Sequence, residues 1–204
     1  MSAKLLAIVG SPRKCGNTDV LVDEALDAFC KNGGEVEKVI LNSLQIKPCQ
    51  GCFSCMNGDG LDSVCVQKDD MTELYQKMFS ADAFIWATPI YMWSPTAQMK
   101  LFLDRLFPLG NYQNTRWRCA LNNKPVGIII VYAETDPLHS GVFQTRDILK
   151  VVAEASGGKV DFVIHSTVGE KGQARQNKEL VQRIREASAM LHESIGISKG
   201  KYPI

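Results

Sequence analysis

The sequence contains no apolar stretch long enough for a signal peptide or a membrane-spanning helix, and from Met1 it enters a strand pattern at once. We therefore expect a cytoplasmic protein without a membrane partner. An excess of charge of either sign is also missing, because 23 lysines and arginines stand against 22 aspartates and glutamates. Without a strong net field the chain has little attraction for nucleic acid or an anionic surface, so small molecules are the expected partners.

Histidine is scarce as well, and the three histidines of the chain are His139, His165 and His192. They share no spacing with one another or with the cysteines. Neither a hydrolytic triad nor a histidine-based metal site is therefore indicated.

Short runs rich in β-branched residues alternate with helical patterns or long loops, at 4–9, 35–41, 83–88, 125–132 and 159–165. This alternation predicts a parallel sheet, and right-handed crossovers place helices on both of its faces. We expect a flavodoxin-like, doubly wound α/β fold with five strands in the order 2-1-3-4-5. The length of 204 residues and the hydrophobic content of 45% suit one domain over 1–204. In such a sheet the loops after the strands share one edge, and ligands bind there.

The loop after the first run, 10–18, reads G-S-P-R-K-C-G-N-T and leads into a helical pattern. Amide groups at a helix start, the positive end of the helix dipole and one fixed cation together bind anions. The loop matches neither G-x-G-x-x-G nor G-x-x-x-x-G-K-[ST], which favours a single phosphate over a dinucleotide or a Walker-type site. The alternative is an ordinary strand-to-helix turn with a helix cap. The residues that would surround the anion are Ser11, Arg13, Gly16, Asn17 and Thr18.

The segment 88–95 after the third run combines two prolines, which stiffen the backbone, with aromatic and polarisable apolar side chains. A planar heterocycle such as a flavin needs an apolar slot of this kind. The alternative is that these aromatic residues belong to the core or to a subunit interface. The candidate cofactor-binding residues are Pro89, Ile90, Tyr91, Met92 and Trp93, with Glu134 and Thr135 from the loop after the fourth run.

Seven cysteines, an odd number, in a chain expected to be cytoplasmic argue against a disulfide framework. Four of them form the pattern Cys49-x2-Cys52-x2-Cys55-x9-Cys65 in a cysteine-rich loop at about 48–68. Three cysteines at such tight spacing can hold three corners of an iron-sulfur cluster, with Cys65 as the fourth ligand. A thiol-rich structural segment is an equal alternative, and zinc is a weaker one because all-cysteine zinc sites usually present two separated pairs. Glycines at 58 and 60 make the return turn to Cys65 feasible.

Taken as a set, these motifs resemble the NAD(P)H-dependent FMN reductase and iron-sulfur flavoprotein family. The similarity also covers Lys100-x-Phe102-x-Asp104-Arg105, Asp69-Asp70-Met71 and the segment 169–172. The resemblance implies a flavodoxin-like fold, FMN with its phosphate in the loop 11–18 and its ring against residues 89–91, and a homodimer or homotetramer. For the iron-sulfur branch of the family it implies a 4Fe-4S cluster on the cysteine loop. In that branch the spacing between the third and fourth cysteines is usually shorter than the nine residues between Cys55 and Cys65 of this chain. The loop 133–139 departs from the family by having no glycine.

The sequence and the resemblance together predict an FMN-dependent oxidoreductase that takes a hydride from NAD(P)H and reduces a small acceptor. Quinones, flavins, metals and nitro compounds are the acceptor classes considered. No catalytic residue is assigned, because the flavin carries the chemistry. One alternative is an iron-sulfur flavoprotein that carries electrons between protein partners, for which the balanced charge supplies no acidic docking surface. Another is a redox or metal sensor based on the cysteine loop.

Overall fold

The computed structural model describes residues 2–56, 65–110, 112–113, 116–117 and 120–198. Its strands are β1 (Lys4–Val9), β2 (Glu35–Ile40), β3 (Ala83–Tyr91), β4 (Ser94–Pro95), β5 (Tyr112–Gln113), β6 (Arg116–Trp117), β7 (Pro125–Tyr132) and β8 (Lys159–Thr167). Its α-helices are α1 (Asn17–Lys31), α2 (Met71–Ser80), α3 (Ala97–Asp104), α4 (Val142–Ala155), α5 (Gln173–Gln176) and α6 (Lys178–Ser198).

The central sheet places five mutually parallel strands in the order β2-β1-β3-β7-β8. These strands are the five runs predicted from the sequence, so the flavodoxin-like order 2-1-3-4-5 is confirmed. Strand β4 pairs antiparallel with the end of β3, and β5 pairs with β6 in a separate ladder. The sequence did not indicate these three strands, because each is only two residues long and carries no periodic pattern.

Successive residues of the strands pack against helices on opposite faces of the sheet. On β1, Leu6 and Ile8 belong to the cluster formed with α2, α3 and α4, whereas Leu5, Ala7 and Val9 belong to the cluster formed with α1 and α6. All five are at most 1% exposed. Burial of each leucine or isoleucine of this kind contributes roughly 1.5–3 kcal/mol. The two apolar layers therefore fix which face of the sheet each helix covers.

The carboxyl ends of the parallel strands point to one edge, and the loops that follow them leave from it. The loops after β1, β7 and β8 and the β3–β4 hairpin meet there. In the part of the chain that the structure describes, no helix is both long and apolar enough to cross a membrane.

Candidate functional site

A cavity of about 310 Å³ opens at the carboxyl edge of the sheet. Eight of the twelve residues predicted to bind the cofactor line it, namely Ser11, Arg13, Gly16, Asn17, Thr18, Pro89, Ile90 and Tyr91. The sequence analysis did not predict the wall that the ends of β7 and β8 contribute to this cavity. This wall consists of Val131, Tyr132, Ala133, Val168 and Gly169. The signal that could have found them is their position, because they end or follow strands of the same parallel sheet.

Helix α1 starts at this cavity, and no side chain among the described residues caps it. Its N-cap residue is Gly16, whose amide donates to the Arg13 carbonyl at 3.2 Å, and no side chain caps the helix from that position. Asn17 and Thr18 form the first turn, where amide groups have no preceding helical carbonyl to bind. Because Gly16, Asn17 and Thr18 line the cavity, the positive end of the helix dipole lies at its wall.

Arg13 is the cation of this wall. Its side chain is exposed, and it has no ion pair among the residues described. Ser11 is 4% exposed, and its Oγ accepts a hydrogen bond from the Arg13 amide at 3.3 Å. The nearby first-turn carboxylate of Asp19 is paired with Lys38, with Oδ1 and Nζ 2.8 Å apart, and it shares this lysine with Asp23. An anion in the cavity would thus meet an uncompensated guanidinium beside the helix start.

The Asn17 side chain joins the loop after β1 to the loop after β8. Its Nδ2 donates to the carbonyls of Val168 at 3.3 Å and Glu170 at 2.8 Å. Its Oδ1 accepts from the amides of Gly172 at 2.9 Å and Ala174 at 3.2 Å. Since both ends of the side-chain amide are engaged with backbone, Asn17 shapes the cavity through its side chain and can offer a ligand its own amide N–H.

The segment predicted as a loop over 88–95 is instead the end of β3 and a tight hairpin. Met92 and Trp93 occupy the turn with φ of 48° and 59°, and their side chains are 83% and 63% exposed. Positive φ at both central residues is the type I′ geometry, which normally selects asparagine and glycine. The Trp93 Nε1 donates to the His139 carbonyl at 2.8 Å, and a Cβ on Gly141 would lie 2.4 Å from the Trp93 carbonyl oxygen. Two strained residues are thus held against the loop after β7, outside the lining of the 310 Å³ cavity.

Glu134 and Thr135 also lie outside the lining of this cavity. The Glu134 carboxylate turns back on its own loop, where Oε1 accepts from the Thr135 amide at 2.8 Å and the Asp136 amide at 3.4 Å. These hydrogen bonds, from Asp136 first and then Thr135, lower the pKa of the Glu134 carboxyl. The carboxylate therefore organises a turn, and the predicted contact of these two residues with a cofactor has no geometric support in this arrangement.

A second cavity, of about 360 Å³, is lined by all four predicted metal ligands, Cys49, Cys52, Cys55 and Cys65. No group of three or more cysteine, histidine or acidic side chains among the described residues is placed to hold one metal ion. The four thiols line one cavity without forming such a group among the described residues. The donor set, four cysteine sulfurs, is the one that an iron-sulfur cluster takes. The predicted glycine turn at 58 and 60 lies outside the residues that the structure describes.

The thiols of this cavity are electrostatically connected. Hydrogen bonds with the side chain and backbone of Ser54 lower the pKa of the Cys52 thiol. Burial raises the pKa of the Cys55 thiol, and the charges of Cys65, Cys52 and Cys49 raise it further.

Comparison with known proteins identifies the family and relatives of this chain. Residues 3–169 match the family model described as NADPH-dependent FMN reductase. Over 130 residues the chain is 43% identical to an iron-sulfur flavoprotein of Archaeoglobus fulgidus, an alignment that covers 64% of this chain and 54% of that protein. The chain spans about half the length of the curated relatives it matches.

Two solved structures are similar in fold. The NAD(P)H:quinone oxidoreductase from Methanothermobacter marburgensis superposes with a TM-score of 0.69 at 14% identity, covering 94% of this chain and 98% of that chain. RosB with bound 8-demethyl-8-formylriboflavin-5'-phosphate superposes with a TM-score of 0.70 at 18% identity, covering 98% of this chain and 82% of that chain. At these identities the likeness concerns the fold alone.

Proposed function

The chain belongs to the NADPH-dependent FMN reductase family, and we propose that it binds FMN in the 310 Å³ cavity and works as an NAD(P)H-dependent oxidoreductase. The observation that carries the proposal is the joining of the uncapped start of α1, Arg13 and the apolar segment 89–91 around one cavity. An anion site beside an apolar wall is what a phosphate linked to a planar ring requires.

In this proposal the chain's own residues bind and orient the cofactor. The amides of Asn17 and Thr18 and the guanidinium of Arg13 hold the phosphate. Pro89, Ile90 and Tyr91 form the apolar wall for the ring, and Tyr91 remains 38% exposed at the mouth of the cavity. Bound FMN would supply reversible hydride acceptance and electron donation, for which the protein provides position and electrostatics.

The acceptor in this proposal is a small molecule of the quinone, flavin, metal or nitro class. Anaerobic purification followed by a visible spectrum and extraction of the flavin gives the FMN content per chain. Addition of NADH or NADPH in separate experiments should then bleach the flavin bands, and each acceptor class should restore them at its own rate. Protein that neither retains nor takes up FMN would refute the proposal.

A second candidate function, one-electron transfer between protein partners, is favoured by the 360 Å³ cavity with its four cysteines. Cys49, Cys52, Cys55 and Cys65 would hold an iron-sulfur cluster, and a bound cluster would supply one-electron transfer. Relatives named iron-sulfur flavoprotein support this candidate. Iron and sulfide assays on anaerobically purified protein test it, and protein without iron after reconstitution would exclude it.

The paired variants Cys49→Ser and Cys52→Ser separate these candidates from a sensor. If NAD(P)H oxidation through FMN persists in both variants, the reductase activity does not depend on the cysteine loop, and a sensor with a merely structural FMN is excluded. We also propose one FMN-binding domain over 1–204, assembled as a homodimer or homotetramer. Light scattering of the FMN-loaded protein measures the assembly.

A further inference from the structure

A buried ion pair lies beside the cysteine cavity. Arg105, the C-cap residue that follows α3, contacts Asp69 with both of its terminal nitrogens. Nη1 lies 2.6 Å from Oδ2 and Nη2 lies 3.2 Å from Oδ1, and the two side chains are 1% and 2% exposed. A two-pronged arginine–carboxylate contact of this kind fixes geometry as well as charge.

This ion pair closes the stem of the cysteine-rich loop. The Lys47 amide donates to Asp69 Oδ2 at 2.9 Å, and Arg105 Nη1 donates to the Lys47 carbonyl at 2.8 Å. Lys47 precedes Cys49 by two residues, and Asp69 follows Cys65 by four. Both ends of the segment that carries the four cysteines are therefore held by one guanidinium, which lowers the entropy lost when all four sulfurs bind one group.

Arg105 also lines the cavity that the four cysteines line. Its Nε is fully buried and has no hydrogen-bond partner among the described residues. Burial would lower the pKa of the Arg105 guanidinium, but the hydrogen bonds with Asp69 and the charges of Tyr75 and Cys65 raise it, so the positive charge stays in place. A buried N–H group without a partner is rare in proteins, and here it belongs to a cation at the wall of a thiol-lined space.

We propose that Arg105 is a positioning residue for an iron-sulfur cluster on the cysteine loop, and that its charge and Nε–H raise the reduction potential of that cluster. This inference rests on the cluster-binding candidate function above. A cluster held by four thiolates is anionic, and one-electron reduction adds one more negative charge. A fixed cation and a hydrogen-bond donor near the sulfurs stabilise the reduced state more than the oxidised state.

Two substitutions in the same ion pair test the charge effect. Arg105→Met removes the cation and leaves the Asp69 carboxylate, so the midpoint potential of the cluster should become more negative. Asp69→Asn removes the carboxylate and leaves the cation, so the midpoint potential should become more positive. Since both variants break the same stem, a purely structural role predicts similar effects from both, whereas the electrostatic role predicts opposite signs.

The measurement is a mediated redox titration followed by electron paramagnetic resonance, on protein reconstituted anaerobically with ferrous iron and sulfide. Iron, sulfide and FMN per chain and the thermal unfolding midpoint are recorded for each variant. Arg185→Met is the matched control, because Arg185 forms an exposed pair with Glu24 between α6 and α1. The midpoint potential of the cluster and the iron content of the Arg185→Met variant should equal those of the wild type. If Arg105→Met does not fold, Asp69→Asn still tests the effect of charge. The variant Arg105→Lys keeps the cation but loses the two-pronged contact. It should therefore retain the midpoint potential of the cluster and lose iron faster than the wild type.

Opposite shifts of the potential with unchanged FMN content support the inference. Equal potentials in all variants overturn it, and so does a parallel loss of iron, FMN and thermal stability, which would make Arg105 a structural residue only. Wild-type protein that takes up FMN but no iron overturns the cluster assignment and this inference together, while the proposed FMN-dependent activity stands.

Discussion

Replacing Arg13 with alanine should weaken FMN binding strongly and leave the stability of the protein almost unchanged. The guanidinium is exposed and has no ion pair among the described residues, so its removal breaks no contact of the fold described here. Surface substitutions of this kind usually change the free energy of unfolding by less than about 0.5 kcal/mol. A charge-assisted hydrogen bond to a phosphate, by contrast, contributes about 1.5–3 kcal/mol. The dissociation constant of FMN should therefore rise about 10- to 150-fold.

The assay is a titration of FMN-free protein with FMN, followed by the quenching of flavin fluorescence, beside urea unfolding of the same FMN-free protein. Lys14→Ala is the matched control, because Lys14 is the adjacent exposed cation and does not line the cavity. Its dissociation constant should stay within about twofold of the wild type, since only the screened field of a surface charge is lost. An equal loss from both variants would mean that a diffuse positive field attracts FMN, and no loss from Arg13→Ala would place the phosphate elsewhere.

Three further predictions concern the frame of the cavity. Asn17→Ala removes four side-chain hydrogen bonds to the loop after β8 and should lower the free energy of unfolding by about 2–4 kcal/mol, whereas a loss below about 1 kcal/mol in urea unfolding would contradict this role. Met92→Gly should raise the free energy of unfolding by about 1 kcal/mol, because glycine adopts positive φ without strain, and an unchanged thermal midpoint would disprove strain at the turn. Burial, with the charges of Arg146 and Arg183, lowers the pKa of His165 below its ordinary 6.5, so the unfolded state binds the proton first and stability should fall as the pH drops below about 6.5. In the His165→Gln variant this part of the pH dependence should disappear. If the imidazole resonance of His165 titrates above pH 6.5, the predicted direction of its pKa shift is contradicted.

The residues that bind FMN in our proposal could be found from the sequence to the extent that they follow strands. Ser11 and Arg13 follow β1, and Tyr91 follows the predicted run 83–88, although in the structure it is the last residue of β3. They could be found because a short apolar run predicts a strand and the carboxyl ends of parallel strands meet at one edge. Tyr132 was missed although it lies at the carboxyl end of a correctly predicted strand, because the residues assigned beside that strand, Glu134 and Thr135, came from the loop alone. Glu134 was assigned from its position after β7, yet its carboxylate binds the backbone of its own loop.

Patterns in the sequence were sufficient to predict the five strands and their order, the loop with Arg13 and the motif of four cysteines. Each depends on residues close together in the chain, whose periodicity and backbone preferences act locally. Two contacts between residues far apart in the chain depend on the tertiary structure. Arg105 forms an ion pair with Asp69, which lies 36 residues before it, and the Asn17 side chain binds the backbone of Gly172, which lies more than 150 residues after it. It also decided that Met92 and Trp93 occupy a turn that their own preferences disfavour. Such contacts depend on how the helices and strands pack together, because a buried polar group bonds to whichever partner the finished fold brings within reach.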